Sequence, residues 1–429
     1  MYKSTYLLSY VLQILKISLL YSLSIEDLIY DASIYVASTI LMERLISLVG
    51  IVVFFVLAYL LSVDRKAIRW RTVAWGFALQ FLFALFVLRT PIGFQIFDVI
   101  GNLVSQFLSF SDVGAEFVFG KNFRDVFFAF KVMPTVIFFS AFISLLYYYG
   151  VLQRLVSVIA WVMQRTMKTS GPETTSCAAN IFIGQTEAPL LIRPFVNRLT
   201  LSELHAVMTG GFATVAGSVL AAFIGFGIPA RYLIAASVMN APGALAISKI
   251  VQPEVRSSEP TIAESEVEES EPETNADNAI AAIADGAIQG MKLVLNILAI
   301  LIAFLALIAA INAILRWLGQ FVGLPQLSLE WMLSIVLAPL AFVMGVPWQD
   351  CGQVGVLLGK RTIINEFVAY VDLRGMIEAK TISDRAVAIA TFALCGFANI
   401  SSIGQQIGGI GGIAPNRIQD VAKLGVRAM

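Results

Sequence analysis

The chain has 429 residues, 58% of them hydrophobic and only 14% charged, with a mean hydropathy of +0.81. Its 29 basic and 29 acidic residues cancel to zero net charge, and no dense basic stretch suggests nucleic acid as a partner. Soluble domains carry about a quarter charged residues, whereas runs of roughly 20 apolar residues here can each cross about 30 Å of hydrocarbon, where only internally bonded backbone survives: the fold class is an all-α polytopic membrane protein.

Residues 1–41 are moderately apolar but poorly patterned. Lys16 interrupts the stretch and no small-residue cleavage site follows, so the segment does not read as a signal peptide. Met42 stands just before the first clean span, 45–63, and residues 1–41 are therefore read as an extension or a peripheral helix. The loop that follows, DRKAIRWR at 64–71, is the most basic short loop of the chain and belongs on the cytoplasmic side. Further spans are predicted at 73–88 and 132–149, so that 42–150 forms mainly scaffold. An amphipathic stretch at 152–167 reads as an interfacial helix.

The segment 173–198 does not behave as an ordinary span. It holds two short apolar stretches around Gly184-Gln185-Thr186-Glu187, each about ten residues or roughly 15 Å of helix. Such a segment reaches the bilayer midplane and returns. Spans at 205–226 and 232–250 complete a block, 151–250. The Glu-, Ser- and Pro-rich stretch 251–278 reads as a disordered cytoplasmic linker. Residues 279–325 supply an interfacial and scaffold helix, with its span at 292–318. A second re-entrant segment, 331–373, turns around GKRTIINEFVAY, and a polar-rich span follows at 384–403 within the second block, 326–429. The order of re-entrant helical hairpin, then interrupted transmembrane helix, thus occurs twice. Counted from the basic loop, the two hairpins enter from opposite sides, which makes the halves inverted repeats, and paired broken segments point to a transporter's binding site.

A carboxylate at membrane depth is unfavourable by roughly 2.5–3.5 kcal/mol, yet Glu187 and Glu366 each sit at a predicted tip. Either alone could be a structural charge bonded to freed backbone amides; two at corresponding positions point to a site. Asn180, Gln185, Thr186, Asn399 and Ser402 gather with them, and Phe397 adds an aromatic face. Amides, hydroxyls and two acceptor carboxylates suit an uncharged, flat, hydroxylated solute: a carboxylate can accept from a vicinal diol while amides read a base edge. No arginine belongs to the set, and Lys360 and Arg361 are read as flanking the second tip.

The strings GQTEAPLLIRPF, TGGFATVAGSV, NEFVAY and CGFANISSI resemble, in order, the motifs of the concentrative nucleoside transporters, a likeness running from about Met42 to the C-terminus. The resemblance implies a homotrimer in the cell's inner membrane, embedded in lipid. Its mobile transport domain would carry nucleosides past a scaffold by an elevator movement, in symport with sodium and without an organic cofactor. It also implies that Gln185, Thr186 and Glu187 face the nucleobase, directly or through water. Val219 and Phe397 would pack near the nucleoside, and Glu366, Asn399 and Ser402 would hold the ribose. The sodium ion would fall to the side chains of Asn180 and Thr214 and the carbonyls of Ile183 and Val215. The family's usual final transmembrane helix is missing after AKLGVRA, where this sequence stops at Met429.

Other readings weigh less. Gly409–Ala414 matches a dinucleotide fingerprint only in letters, since it follows a membrane helix rather than a strand. Gly355–Arg361 is one residue short of a phosphate-binding loop and ends in Arg. Cys177, Cys351 and Cys395 lie too far apart for a redox or zinc pair, and the lone His205 reads as a polar residue at a helix start. Proton coupling through the glutamates is an alternative to sodium. An intramembrane enzyme using Glu187 and Glu366 as acid and base would need a nucleophile or metal set that the chain does not offer, and a channel would not need two asymmetric tips.

Overall fold

The computed structural model describes residues 25–124, 127–255 and 276–429. Among these, six helices are long and apolar enough to cross a membrane. The protein is an all-α, multi-pass membrane protein. Most of the predicted acidic linker, and residues 1–24 of the predicted extension, lie outside the described residues.

The first helix, α1, runs Ile25–Leu60, so that 25–41 continue the first span rather than forming a separate element. After the basic loop come α2 (Trp70–Arg89), α3 (Pro91–Ser109) and α4 (Ser111–Phe119). The last two were not anticipated; Thr90 caps α3, its Oγ1 accepting from Gly93 N at 2.9 Å, and Pro91 takes the first helical position, where its missing N–H is harmless. A π-helical turn, Phe127–Val132, leads into α5 (Met133–Tyr148), and the amphipathic α6 (Val151–Met167) follows.

The first hairpin begins with α7 (Gly171–Ala179), whose start is fixed by Glu173, its Oε1 accepting from Ser170 N at 3.0 Å. Its returning arm, 188–198, is not the α-helix expected but 3₁₀ turns with a kink at Ile192. Pro194, inside the arm, explains this, because it lacks an N–H and crowds the preceding turn. Then come α8 (Leu201–Ala213), α9 (Gly217–Gly225) and α10 (Ala230–Val251). These are the enclosed spans, whereas α1, α2, α5 and the long α11 (Ala279–Phe321) are largely exposed outward, as lipid-facing helices are.

At 43 residues α11 is roughly 64 Å long, so only part of it spans the bilayer. It lies on α5 through Gly286 and Gly290: a methyl on Gly290 would stand 2.9 Å from the Ile137 Cα and the Ser140 Cβ. Small residues spaced by four permit this approach, in which van der Waals packing replaces the hydrophobic effect that lipid removes.

The second hairpin differs from the expected arm. Residues 331–343 belong to a separate helix, α12 (Leu329–Val343), and the hairpin proper is α13 (Cys351–Ile363) and α14 (Glu366–Glu378). The break at Gly345, in the left-handed conformation at φ +89°, divides them. The phosphate-loop look-alike is ordinary helix here, Gly355 and Gly359 giving room to Leu333 and Ala338 of α12. The chain ends in α15 (Asp384–Leu394), α16 (Ile400–Ile413) and α17 (Ile418–Ala428).

An aromatic cluster joins the halves. Phe223 of α9 packs on Tyr370 and Phe367 of α14, with ring centroids 4.1 and 4.9 Å apart, and the Tyr370 hydroxyl donates to Thr391 O at 2.8 Å. A buried charge cluster ties the ends of α7 and α10: Lys249 lies 2.6 Å from Glu173 and donates to Ser202 Oγ at 3.0 Å. His205 is buried beside it, its Nδ1 2.7 Å from Ser248 Oγ. We expect Gly290→Leu to force α11 off α5 and lower stability by about 1–3 kcal/mol, read as a lower Tm in detergent; an unchanged Tm would refute the tight crossing.

Candidate functional site

The site is built where helices stop. The first transmembrane helix of the enclosed body breaks between α8 and α9, where Thr214 takes extended backbone (φ −119°, ψ 168°). This lies beyond Gly210 and Gly211, which are helical and serve close packing: a methyl on Gly210 would meet the Cys177 Sγ at 2.7 Å. The corresponding helix of the second half breaks between α15 and α16, at Cys395–Asn399. There Gly396, at φ +156°, lies so close to the first break that a Cβ would stand 2.6 Å from Phe212 O. The two breaks run side by side, with Phe397 N donating to Thr214 O at 3.2 Å.

Both hairpin tips close on these breaks. Tip 1, between α7 and the 3₁₀ arm, accepts at Phe182 O from Gly217 N (2.9 Å) and at Ile181 O from Ser237 Oγ (2.9 Å). Tip 2 is the short turn Ile364–Asn365, where Asn365 caps α14 by accepting from Val368 N at 3.1 Å. Glu366 is therefore the first residue of α14, where the positive end of the helix favours its carboxylate. It is buried, and Asn399 Nδ2 donates to its Oε2 at 3.0 Å. Asn399 in turn caps α16, its Oδ1 accepting from Ser402 N (2.9 Å) and Ser401 Oγ (2.7 Å). The Ser402 Oγ is buried among the described residues without a hydrogen-bond partner.

Gln185 is less free than its sequence position suggests. Its Nε2 donates to Gln405 Oε1 at 2.9 Å, and its Oε1 accepts from Gln406 Nε2 at 3.1 Å. Gln406 also donates to Met208 O at 2.9 Å and is buried. Neither glutamine was singled out from the sequence, although each stands one helical turn beyond Ser401 or Ser402. Glu187, by contrast, is exposed.

One cavity of about 1280 Å³ is lined by all eight residues that the resemblance assigned to substrate: Gln185, Thr186, Glu187, Val219, Glu366, Phe397, Asn399 and Ser402. Its far wall comes from outside the hairpins, from Ser140, Ser144 and Tyr147 of α5 and Asp285, Gln289, Lys292 and Asn296 of α11. Arg193 and Lys292 line it too, cations that the sequence reading left out. Lys360 stands apart, bound to Asp372 at 2.8 Å and Glu330 at 3.4 Å, while Arg361 Nε reaches Gly396 O at 3.4 Å.

Tip 1 and the first break also enclose a set of neutral oxygens. Asn180, Thr214 and Val215 are buried there, and Ile183 is half-buried. Asn180 Nδ2 donates to Ser176 O at 3.0 Å, but its Oδ1 is buried without a partner, as is Ser176 Oγ. Thr214 Oγ1 donates to Gly210 O at 2.8 Å, which leaves its lone pairs available. A dry, unpaired amide oxygen beside backbone carbonyls could hold a hard monovalent cation. No group of three or more His, Cys, Asp or Glu with metal-binding proximity occurs among the described residues.

Two helical hairpins whose tips meet two broken helices around a polar cavity define the class, a polytopic α-helical membrane protein on the plan of the secondary transporters. The chain belongs to the Na+ dependent nucleoside transporter family. Residues 49–122 match that family's N-terminal region, 129–230 a nucleoside recognition region and 232–429 the C-terminal region. It is 48% identical to mouse sodium/nucleoside cotransporter 1 over 400 residues, which cover 90% of this chain and 61% of the mouse protein. Human solute carrier family 28 member 3 is 44% identical over 400 residues, 90% of this chain and 58% of that protein. The chain thus spans about three fifths of the length of the curated relatives it matches. Among solved structures, CNTnw in an inward-facing substrate-bound state superposes with a TM-score of 0.84 at 42% identity, covering 90% of this chain and 93% of that one. A doubly substituted CNTnw in an outward-facing state gives 0.85 at 42% identity, covering 90% and 94%.

Gln406→Ala should remove the bridge from α16 to Met208 O and loosen Gln185, costing about 1–3 kcal/mol and lowering the Tm more than Gln405→Ala does. Equal, small shifts for the two variants would show that Gln406 does not anchor tip 1.

Proposed function

We propose that the protein is a secondary active transporter that moves nucleosides by symport with sodium, not an enzyme. The observation that carries this reading is the single cavity onto which both tips and both helix breaks converge, with a buried carboxylate at one end and amides at the other. Glu366, held at a helix N-terminus and ordered by Asn399, offers acceptor lone pairs to a ribose diol. Ser402 Oγ, lacking a protein partner, would add one more hydrogen bond there. The Gln185 amide is held by Gln405 and Gln406, so it is preorganised; Thr186 and Glu187 complete the edge that would read the base, and Val219 and Phe397 pack against the planar solute.

Sodium would be held by the side-chain oxygens of Asn180 and Thr214 and the carbonyls of Ile183 and Val215. When bound, it supplies positive charge beside tip 1 and neutralises oxygens that otherwise stay unpaired. The names of the relatives speak of sodium and nucleosides, which favours sodium over protons as the coupling ion. The cavity wall extends along α11 toward its N-terminal end, at Asp285 and Ala282. The basic loop 64–71 assigns that end to the cytoplasm, so the conformation corresponds to an inward-facing one. The enclosed body formed by the tips, α8–α10 and α14–α16 would carry the solute past the wall of α5 and α11 in an elevator movement. The working assembly would be a homotrimer in the cell's inner membrane.

Uptake of radiolabelled uridine into proteoliposomes tests the reading. Accumulation above equilibrium driven by an inward sodium gradient is expected; passive equilibration or product formation would overturn it. Glu366→Gln should weaken uridine binding by roughly ten- to a hundred-fold, the worth of one charge-assisted hydrogen bond, and unchanged affinity would dismiss the ribose contact. Asn180→Ala should raise the sodium concentration for half-maximal uptake, whereas an unaltered sodium curve would count against that cation site.

A further inference from the structure

Ending a helix inside a membrane protein frees carbonyls that must find donors. At the first break, the N–H that would have closed on Ala213 O belongs to Gly217, and it donates to Phe182 O instead, at 2.9 Å. At the second, the N–H that would have closed on Cys395 O belongs to Asn399, and it turns back to Phe397 O at 2.9 Å. Both carbonyls are left over, and one side chain takes both. Asn240, half-buried in the middle of α10, points its Nδ2 at Ala213 O (2.6 Å) and at Cys395 O (2.9 Å). A primary amide nitrogen carries two hydrogens, and here each has its own carbonyl.

These carbonyls flank the two halves of the site. Ala213 immediately precedes Thr214 and Val215 of the cation set, and Cys395 precedes the segment that presents Phe397 and Asn399. The two breaks are also joined directly, Phe397 N donating to Thr214 O at 3.2 Å. We infer that Asn240 is the positioning residue that couples the cation site to the nucleoside site. A displacement of the first break when its oxygens gather round a cation is passed through one rigid amide to the carbonyl that begins the second. Asn240 neither lines the cavity nor belongs to the proposed cation set. The inference rests on the proposed sodium-coupled reading and adds to it the element through which the two occupancies communicate.

Loss of Asn240 should therefore change the linkage between the ligands, which is a different quantity from fold stability. With the purified full chain in lipid nanodiscs, the uridine Kd is measured in sodium chloride and in choline chloride. The quotient of the choline Kd over the sodium Kd is expected to fall by roughly five-fold or more in Asn240→Ala and Asn240→Asp, five-fold being the low end of ordinary coupling factors. Asn240→Asp keeps the shape but turns an acceptor toward both carbonyls. A merely structural role would lower the Tm and leave the ratio alone, and that result overturns the inference. A second measurement needs no variant: amide hydrogen exchange of the unsubstituted protein with and without sodium, uridine being absent. Sodium should slow exchange at 395–399, which holds none of the proposed cation ligands, as well as at 180–187 and 213–217. Protection confined to the latter two stretches would sink the proposal. Should uridine binding to the unsubstituted chain itself ignore sodium, the transport reading falls along with it; sodium acting equally on parent and variants removes only the role of Asn240.

Discussion

Interrupting a helix inside the hydrocarbon layer leaves backbone N–H and C=O groups that water cannot satisfy, and the centre of this protein is organised by how those groups are paired. Phe182 O receives Gly217 N, Ile181 O receives Ser237 Oγ, Thr214 O receives Phe397 N, and Met208 O receives the Gln406 amide. The N-termini of α14 and α16 are closed by Asn365 and Asn399. The partners of Phe182, Ile181 and Thr214 each come from a different element, so satisfying the backbone and assembling the site are one event. An unpaired peptide group in such surroundings costs about 1–3 kcal/mol by mutational measures, and several together would be more than a domain's stability could absorb.

This accounting explains why so many polar residues can sit in an apolar chain. Asn399 is at once a helix cap, the donor to Glu366 and a cavity-lining residue. Gln185 spends its amide on Gln405 and Gln406 and thereby fixes the tip that carries Thr186 and Glu187. Of the buried polar atoms left without a partner among the described residues, Asn180 Oδ1, Ser176 Oγ and Ser402 Oγ fall at the two ends of the same region. Where tips and breaks converge, buried acceptors without donors are atoms that a ligand would satisfy.

The division of the helices follows the same logic. α8, α9 and α10 are enclosed by protein and can hold breaks, glycines and polar side chains, whereas α11 and α5 face outward and meet through Gly286, Gly290, Ser140 and Ser144. The cavity lies between the two bodies, with the binding groups on one side and a wall containing Asp285, Gln289, Lys292 and Asn296 on the other. The aromatic packing of Phe223 on Tyr370 and Phe367 holds the two repeats of the inner body together.

Much of this was legible in the amino-acid order because lipid makes strict demands on sequence. Length and apolarity alone specify which segments cross, and a carboxylate such as Glu187 or Glu366 within an apolar stretch has few bland explanations. The eight proposed substrate residues could be named before any coordinates, since tips and breaks concentrate Gly, Asn, Ser and Glu in short strings. Hidden from the sequence were the features that depend on neighbours distant along the chain. The returning arm of hairpin 1 is 3₁₀ because Pro194 interrupts a backbone also pinned at Phe182, and α12 separates from α13 at Gly345. The helix pair α3–α4 lacks a hydropathy signal of its own. Gln405, Gln406 and Asn240 are unremarkable letters in apolar helices, and only the fold sets their amides against carbonyls up to 221 residues away. Sequence determined the membrane class, the repeated hairpin-and-break order and the chemistry of the tips, because those follow from local composition and the bilayer. Tertiary structure alone decided which freed carbonyl meets which amide, since a hydrogen bond between breaks is a matter of where two distant segments come to rest.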